Sequence, residues 1–119
     1  MIYKDLDVWQ KAMLAAEKTY RIAPQLPREE TYGMRSQLTR ACMSIANNIA
    51  EGWTRETPAD KTRFLTIAHG SASETETMLE MCRRLNWLPE DDIREILSLL
   101  KDVGSMLTAL RRRHRSRNS

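Results

Sequence analysis

Glycine, proline and cysteine are all scarce in this 119-residue chain, with four, four and two copies. β-Branched residues never alternate with polar ones over a strand-length window, which argues against β-structure. No apolar run approaches the roughly 20 residues of a membrane span. The N-terminal segment lacks the apolar stretch of a secretory signal, and two cysteines, Cys42 and Cys82, make no disulfide framework. We therefore expect a cytoplasmic, all-α protein without membrane contact.

The four prolines divide the chain into helical intervals. Proline is tolerated in the first turn of a helix but breaks a helix interior. Apolar residues make up 41% of the chain, which is adequate for one core. The predicted helices cover Asp5–Ala23, Glu29–Trp53, Pro58–Asn86 and Pro89–Arg113, with Thr57 as the N-cap of the third.

Apolar residues recur in these intervals at steps of three and four, as on one face of a helix. The predicted apolar face of the first helix is Leu6, Trp9, Met13, Ala16, Tyr20 and Ala23, and that of the fourth is Ile93, Ile96, Leu100, Val103, Leu107 and Leu110. Short connections favour antiparallel packing of successive helices. We therefore predict an up-down-up-down four-helix bundle over residues 1–110.

The positive charge is concentrated at the C-terminus. The arginines there are Arg111, Arg112, Arg113, Arg115 and Arg117. Without these five, the chain has 14 basic and 16 acidic residues, a net charge of −2 against +3 for the whole. We predict that residues 111–119 form an Arg-rich tail that binds nucleic acid, since guanidinium groups suit bidentate phosphate contacts. The alternative is a frayed terminus that only aids solubility.

The second helix carries a polar stripe within an arc of about 100°. Its members are Gln37, Arg40, Ser44, Asn47, Asn48, Glu51 and Arg55. A solvated helix face is the ordinary interpretation of such a stripe. Adjacent asparagines are poor helix formers, however, which favours a covered hydrogen-bond network or an interface. In that case Arg40, Ser44, Asn48 and Glu51 are joined by Ser71 and Glu74 of the third helix.

Recognisable catalytic and metal-binding motifs are missing. A di-iron site in a bundle needs Glu-x-x-His on two helices, but residue 66, three before His69, is a threonine. Cys42 and Cys82 lie on apolar faces, where a free thiol acts as a small hydrophobe. There is no P-loop, dinucleotide fingerprint or nucleophile elbow. We therefore expect a protein that is not an enzyme and needs no metal or cofactor.

Four ordered segments of the chain form a recognisable pattern. The central segment is the run YGMRSQLTRACMSIANNIAEGW at residues 32–53. The flanking segments are DLDVWQKA at 5–12, RFLTIAHGS at 63–71 followed by ETET at 74–77, and RRLNWL at 83–88. Together they resemble the family of 23S rRNA intervening-sequence proteins. The chain departs from the family pattern at Ala46, where proline is frequent, and at Thr39, where arginine is frequent. The Arg-rich tail is not part of that pattern.

The resemblance implies a homo-oligomer. The family is similar to the accessory protein of diversity-generating retroelements, a barrel-shaped homopentamer that works beside a reverse transcriptase and RNA. We therefore expect a non-enzymatic, homopentameric scaffold that binds RNA, DNA or a nucleic-acid-processing enzyme such as a reverse transcriptase. The alternative function is a structural or protein-interaction module with no affinity for nucleic acid.

Overall fold

Four helices account for most of the chain. The computed structural model describes the backbone of residues 1–118 and the side chains of residues 1–115. The helices are α1 (Asp7–Ile22), α2 (Met34–Thr54), α3 (Pro58–Arg84) and α4 (Glu90–Asn118), and no strand occurs in the described backbone. They form a rod of 48 × 24 × 22 Å.

Each helix packs against its neighbours in chain order, and α4 closes the bundle against α1. This arrangement confirms the predicted four-helix bundle. Branched side chains from α2, α3 and α4 dominate the fully buried interior: Leu38, Ile45, Ile49, Leu65, Leu79, Ile93, Ile96, Leu100, Val103 and Leu107. Burying one such side chain contributes roughly 1.5–3 kcal/mol. The predicted face of α4 is confirmed over five of its six positions, and Leu110 is partly buried.

The predicted face of α1 is confirmed in part. Ala16 and Ala23 are buried, and Leu6, Trp9 and Met13 are partly buried against the core, but the prediction is wrong at Tyr20. The buried residues are Val8, Ala12, Ala15, Ala16, Thr19 and Ile22, whereas Tyr20 is half exposed. Small side chains let α1 approach its neighbours closely. The larger Trp9 and Met13 pack at the edge of this narrow seam instead. The apolar pattern of the sequence emphasised bulky residues such as Trp9 and Met13, although small residues occupy the centre of the seam.

The start of α2 was also predicted wrongly, at Glu29 instead of Met34. Residues Arg28–Glu30 form a separate 3₁₀ turn. Gly33 then precedes the helix with φ −104° and ψ −109°, far from helical geometry. The backbone N–H of Met34 donates to the Glu30 carboxylate over 3.0 Å. Glu30 therefore caps α2 from outside the helix, which satisfies one of its free N–H groups.

Both ends of α3 are defined by local hydrogen bonds. As predicted, the Thr57 hydroxyl accepts from the backbone N–H of Asp60, over 3.1 Å. At the other end, Asn86 adopts a left-handed conformation with φ 57°. The N–H groups of Asn86 and Trp87 donate to the carbonyls of Arg83 and Cys82, over 3.1 and 2.9 Å. This pattern is a Schellman motif, in which asparagine replaces the usual glycine.

The helix α4 continues past its predicted end at Arg113, as far as Asn118. It therefore crosses the predicted boundary between bundle and tail at residues 110 and 111 without a break. That division into 1–110 and 111–119 stays a prediction, based on composition. The arginines up to Arg115 lie on a continuous helix, so their spacing follows helical geometry.

Candidate functional site

His114 anchors the C-terminal part of α4 to the bundle. Its side chain is only 4% exposed. Its ring lies against that of Trp53, the penultimate residue of α2, with 6.4 Å between ring centroids. His114 follows Leu110 by four residues and thus continues the apolar face of α4 by one more turn. The charge pattern of the sequence assigned His114 to the tail, although this spacing was the signal of a buried position.

Trp53 seals this end of the core. Its side chain is half buried, and its indole N–H donates to the carbonyl of Met1 over 3.3 Å. The Lys61 ammonium lies 5.5 Å from the ring centroid and also donates to the Trp53 carbonyl over 2.9 Å. These contacts cover the end of the core at which α2 ends, α3 begins and the C-terminal part of α4 lies.

Arg111 lies against α3. Its guanidinium Nη2 is 2.8 Å from His69 Nδ1, and its Nη1 donates to the Thr66 hydroxyl over 3.4 Å. Because a guanidinium can only donate, His69 Nδ1 accepts, and the neutral ring carries its proton on Nε2. A Cβ at Gly104 would lie 3.3 Å from that nitrogen. Glycine therefore leaves room for His69, and His69 holds Arg111.

The next three arginines of α4, Arg112, Arg113 and Arg115, are exposed. Arg113 lies in the groove between α1 and α4, which Asp7 also lines. None of these three, nor Arg111, forms an ion pair with any carboxylate among the described side chains. The side chain of Arg117 lies outside the described part. Successive helical positions thus spread the guanidinium groups around the end of α4.

Three arginines at the opposite end of the bundle are paired. Arg83 contacts Glu80 and Glu90, each over 2.9 Å. Arg84 contacts Glu80 over 3.3 Å, and Arg94 contacts Glu90 over 3.6 Å. Carboxylates therefore neutralise Arg83, Arg84 and Arg94, whereas no ion pair among the described side chains neutralises the arginines at the end of α4. An unneutralised cluster attracts anions more strongly than a paired one.

A second group of cations surrounds Phe64 in the second turn of α3. The guanidinium carbons of Arg55 and Arg63 lie 4.6 and 4.4 Å from the ring centroid. Gly52 permits this arrangement, because a Cβ there would be 3.0 Å from the Cβ of Phe64. Arg55 also pairs with Glu51 over 2.7 Å. The sequence pattern placed Arg55 on the polar stripe but did not single out Arg63 or Phe64.

Ser44 and Asn48 of the polar stripe form a hydrogen-bond network with Ser71 of α3. The hydroxyls of Ser44 and Ser71 are 2.9 Å apart. The Asn48 side-chain amide donates to the carbonyl and the hydroxyl of Ser44, over 2.8 and 3.0 Å. Ser71 is 7% exposed, so the network lies at the helix seam. The network explains why asparagine, a poor helix former, occurs at position 48. The neighbouring Asn47 is exposed, and the network does not include it.

Arg40, Glu51 and Glu74, which the sequence predicted for the same network, lie outside it. Arg40 and Glu74 are exposed on the walls of a groove of about 590 Å³ between α2 and α3, with Ser44 and Ser71 also lining it. No ion pair joins Arg40 to Glu74 among the described side chains. Glu51 is exposed and binds Arg55 instead. The stripe therefore divides into a seam network and a solvent-facing part.

The sequence profile of the family described as 23S rRNA-intervening sequence protein matches residues 4–109 of the chain. The chain belongs to this family. It is also similar to a crystal structure of a protein of unknown function from the S23 ribosomal protein family of Bacteroides thetaiotaomicron, with a TM-score of 0.80 and 26% identity. That match covers 87% of this chain and 97% of the other. No curated protein matches the chain.

The family match ends at residue 109, just before the arginines of α4. Residues Arg111–Arg115 thus lie beyond the part of the bundle that the family profile describes. The seam network and the Arg55–Phe64 contact, by contrast, lie within the matched region. The candidate site therefore combines residues of α2 and α3 that the family profile covers with arginines of α4 that lie beyond residue 109.

Cys42 and Cys82 are buried as free thiols. Burial raises the pKa of the Cys42 thiol to about 11. Burial, with a smaller contribution from the Glu30 carboxylate, also raises the pKa of Cys82. Both therefore stay protonated at neutral pH, which is typical of structural rather than nucleophilic cysteines. Within the described residues, no three His, Cys, Asp or Glu side chains converge as in a metal site, and no helix could span a membrane.

The seam network predicts different effects for the two adjacent asparagines. We expect Asn47→Ala to raise the free energy of unfolding by a few tenths of a kcal/mol, because alanine is the better helix former. Asn48→Ala makes the same gain but removes the bonds to Ser44, a cost of about 1 kcal/mol. The difference between the variants is measured by urea unfolding. Equal stabilities would show that the network contributes nothing.

Proposed function

We propose that this protein is a non-enzymatic, ring-shaped helical scaffold that binds the phosphate backbone of nucleic acid with the arginines at the end of α4. The observation that carries the proposal is the group of Arg111, Arg112, Arg113 and Arg115 on an anchored helix, since these arginines have no ion-pair partner among the described side chains. Because the helix orders the backbone that carries these guanidinium groups, binding costs less conformational entropy than it would for an unstructured tail. Phosphate is an anion that their planar fork matches.

Assembly as a homopentamer is supported by two exposed apolar faces on different sides of the rod. The α1–α2 face carries Leu14 and Tyr20, 42% and 49% exposed. On the α3–α4 face lie Ile67 and Met81, 41% and 47% exposed. Contacts between two different faces are heterologous, and such contacts form a ring when the rotation between neighbouring copies closes. The pentamer itself comes from the family resemblance.

A ring would bring together the positive charges at the ends of several α4 helices, whereas one chain alone presents only a few. Copies related by one rotation axis present the same end of the rod on the same rim when the rods lie along that axis. Five helix ends would then act on one nucleic acid, and binding at one end raises the effective concentration of the others. We further propose that the scaffold acts in the cytoplasm and positions nucleic acid for a partner enzyme, such as a reverse transcriptase.

The arginine cluster is tested by neutralising Arg112, Arg113 and Arg115 together as glutamines. Arg111 is left in place because it packs on α3. We expect at least tenfold weaker binding to a labelled 20-nucleotide RNA. The slope of log K against log salt should fall by about 0.7 for each phosphate that the variant no longer binds. Fluorescence anisotropy from 50 to 300 mM salt measures both quantities.

The matched control is the triple variant Arg21→Gln, Arg84→Gln and Arg94→Gln. It changes the net charge equally but lies away from the end of α4, where its exposed ion pairs contribute little stability. Binding that falls equally in both triple variants would reduce the effect to net charge. No binding by the unmodified protein, even at 50 mM salt, would contradict the proposed function and favour a protein-interaction module.

The ring is tested by Tyr20→Glu on the α1–α2 face. Burying a carboxylate in an apolar interface is costly, so we expect the variant to dissociate. Light scattering coupled to size exclusion should give about five times the chain mass of 13.8 kDa for the unmodified protein and a smaller species for the variant. Gln25→Glu, in the exposed turn after α1, is the control. A monomeric unmodified protein would overturn the ring.

A further inference from the structure

The two cation groups at this end of the bundle adjoin each other in space. Arg111 binds Thr66, and Thr66 lies one turn after Arg63 on α3. Helices α3 and α4 are antiparallel. The segment from Arg111 to Arg115 therefore runs towards the N-terminal end of α3, where Arg63 and Phe64 lie. The rise over four residues is about 6 Å. Arginines of α4 and of α3 therefore lie side by side along the rod.

Phe64 is a platform for arginines rather than for bases. Both Arg55 and Arg63 place their guanidinium groups over its ring, within 4.6 Å of the centroid. A ring that already carries two guanidinium groups leaves little face for base stacking. Contact with the ring restricts the arginine side chains, while their outer N–H groups stay available to an anion. Exposed Arg63 has no ion-pair partner among the described side chains.

We propose that Arg63 and Arg55, positioned by Phe64, extend the phosphate-binding surface of α4 onto α3, so that one nucleic-acid backbone contacts both helices. This inference rests on the proposed function and names further residues of the same site. Arg63 contacts phosphate directly. Arg55 is partly neutralised by Glu51 and contributes less. Phe64 is a positioning residue, and Gly52 gives it the space to lie against α2.

A phosphodiester backbone suits this surface better than an acidic protein does. The guanidinium groups are spread over two helices instead of converging on one pocket, which matches a chain with evenly repeated charges. Arginine also forms bidentate bonds to phosphate oxygens. Competition distinguishes the two kinds of partner. An excess of unlabelled RNA should displace the probe, whereas polyglutamate at equal charge should not.

The experiment measures binding of a labelled 20-nucleotide RNA and of a 20-base-pair DNA by anisotropy at 50–300 mM salt. We expect Arg63→Gln to weaken binding about fivefold and to lower the salt slope by the amount expected for about one phosphate. Phe64→Leu keeps every charge and should weaken binding about threefold. Controls at the opposite end are Arg94→Gln and Tyr32→Leu, which should bind as the unmodified protein does.

The double variant Arg63→Gln with Phe64→Leu tests the positioning role. If Phe64 acts through Arg63, the combined decrease in affinity should be smaller than the product of the two single decreases. Thermal melting confirms that each variant is folded. If Phe64→Leu unfolds the chain, Phe64→Met, which also removes the aromatic ring, replaces it in the same cycle. Multiplicative decreases would contradict positioning by the ring.

The outcomes separate this inference from the proposed function. Unchanged binding by Arg63→Gln and Phe64→Leu, with weakened binding in the α4 triple variant, overturns the extension onto α3 and leaves the α4 site standing. If the unmodified protein binds neither RNA nor DNA, both proposals fail. Displacement of the probe by polyglutamate overturns the assignment to a nucleic-acid backbone.

Discussion

The packing of His114 against Trp53 determines how the C-terminal charges of this protein are presented. It adds one turn to the buried face of α4 and fixes the helix beyond Leu110 to the ends of α2 and α3. Without an inward-facing residue at this position, a run of arginines at a chain end would fray. With it, the arginines before and after His114 have set directions and spacing. The charged surface is therefore a consequence of core packing.

Separate side-chain contacts hold other cations at the same end of the bundle. Arg111 reaches His69 on α3, and Gly104 leaves the space in which His69 lies. Gly52 likewise leaves space for Phe64, and the ring of Phe64 contacts the guanidinium groups of Arg55 and Arg63. In both places a glycine allows two helices to approach, and an aromatic or imidazole ring then holds a guanidinium group. Close helix packing and charge placement thus depend on the same small residues.

Much of the fold follows from local patterns in the sequence. The prolines and the apolar steps of three and four predicted four helices, and Thr57 predicted the start of α3. The predicted face of α1 missed Ala12 and Ala15 because alanines carry a weak hydrophobic signal. The start of α2 was wrong because Glu30 caps it with a side-chain bond from outside the helix. Ser44, Asn48 and Ser71 were predicted together, but spacing alone could not show that Arg40, Glu51 and Glu74 face solvent.

The central claim is that the arginines of α4 lie on an ordered, anchored helix. Amide hydrogen exchange on the unmodified protein tests it most directly, because it reports local opening residue by residue. We predict that the amides of Arg111–Arg115 exchange much more slowly than in an unstructured peptide, with protection approaching that of Leu107. Exchange of these amides at the unstructured rate, with Leu107 still protected, would contradict it.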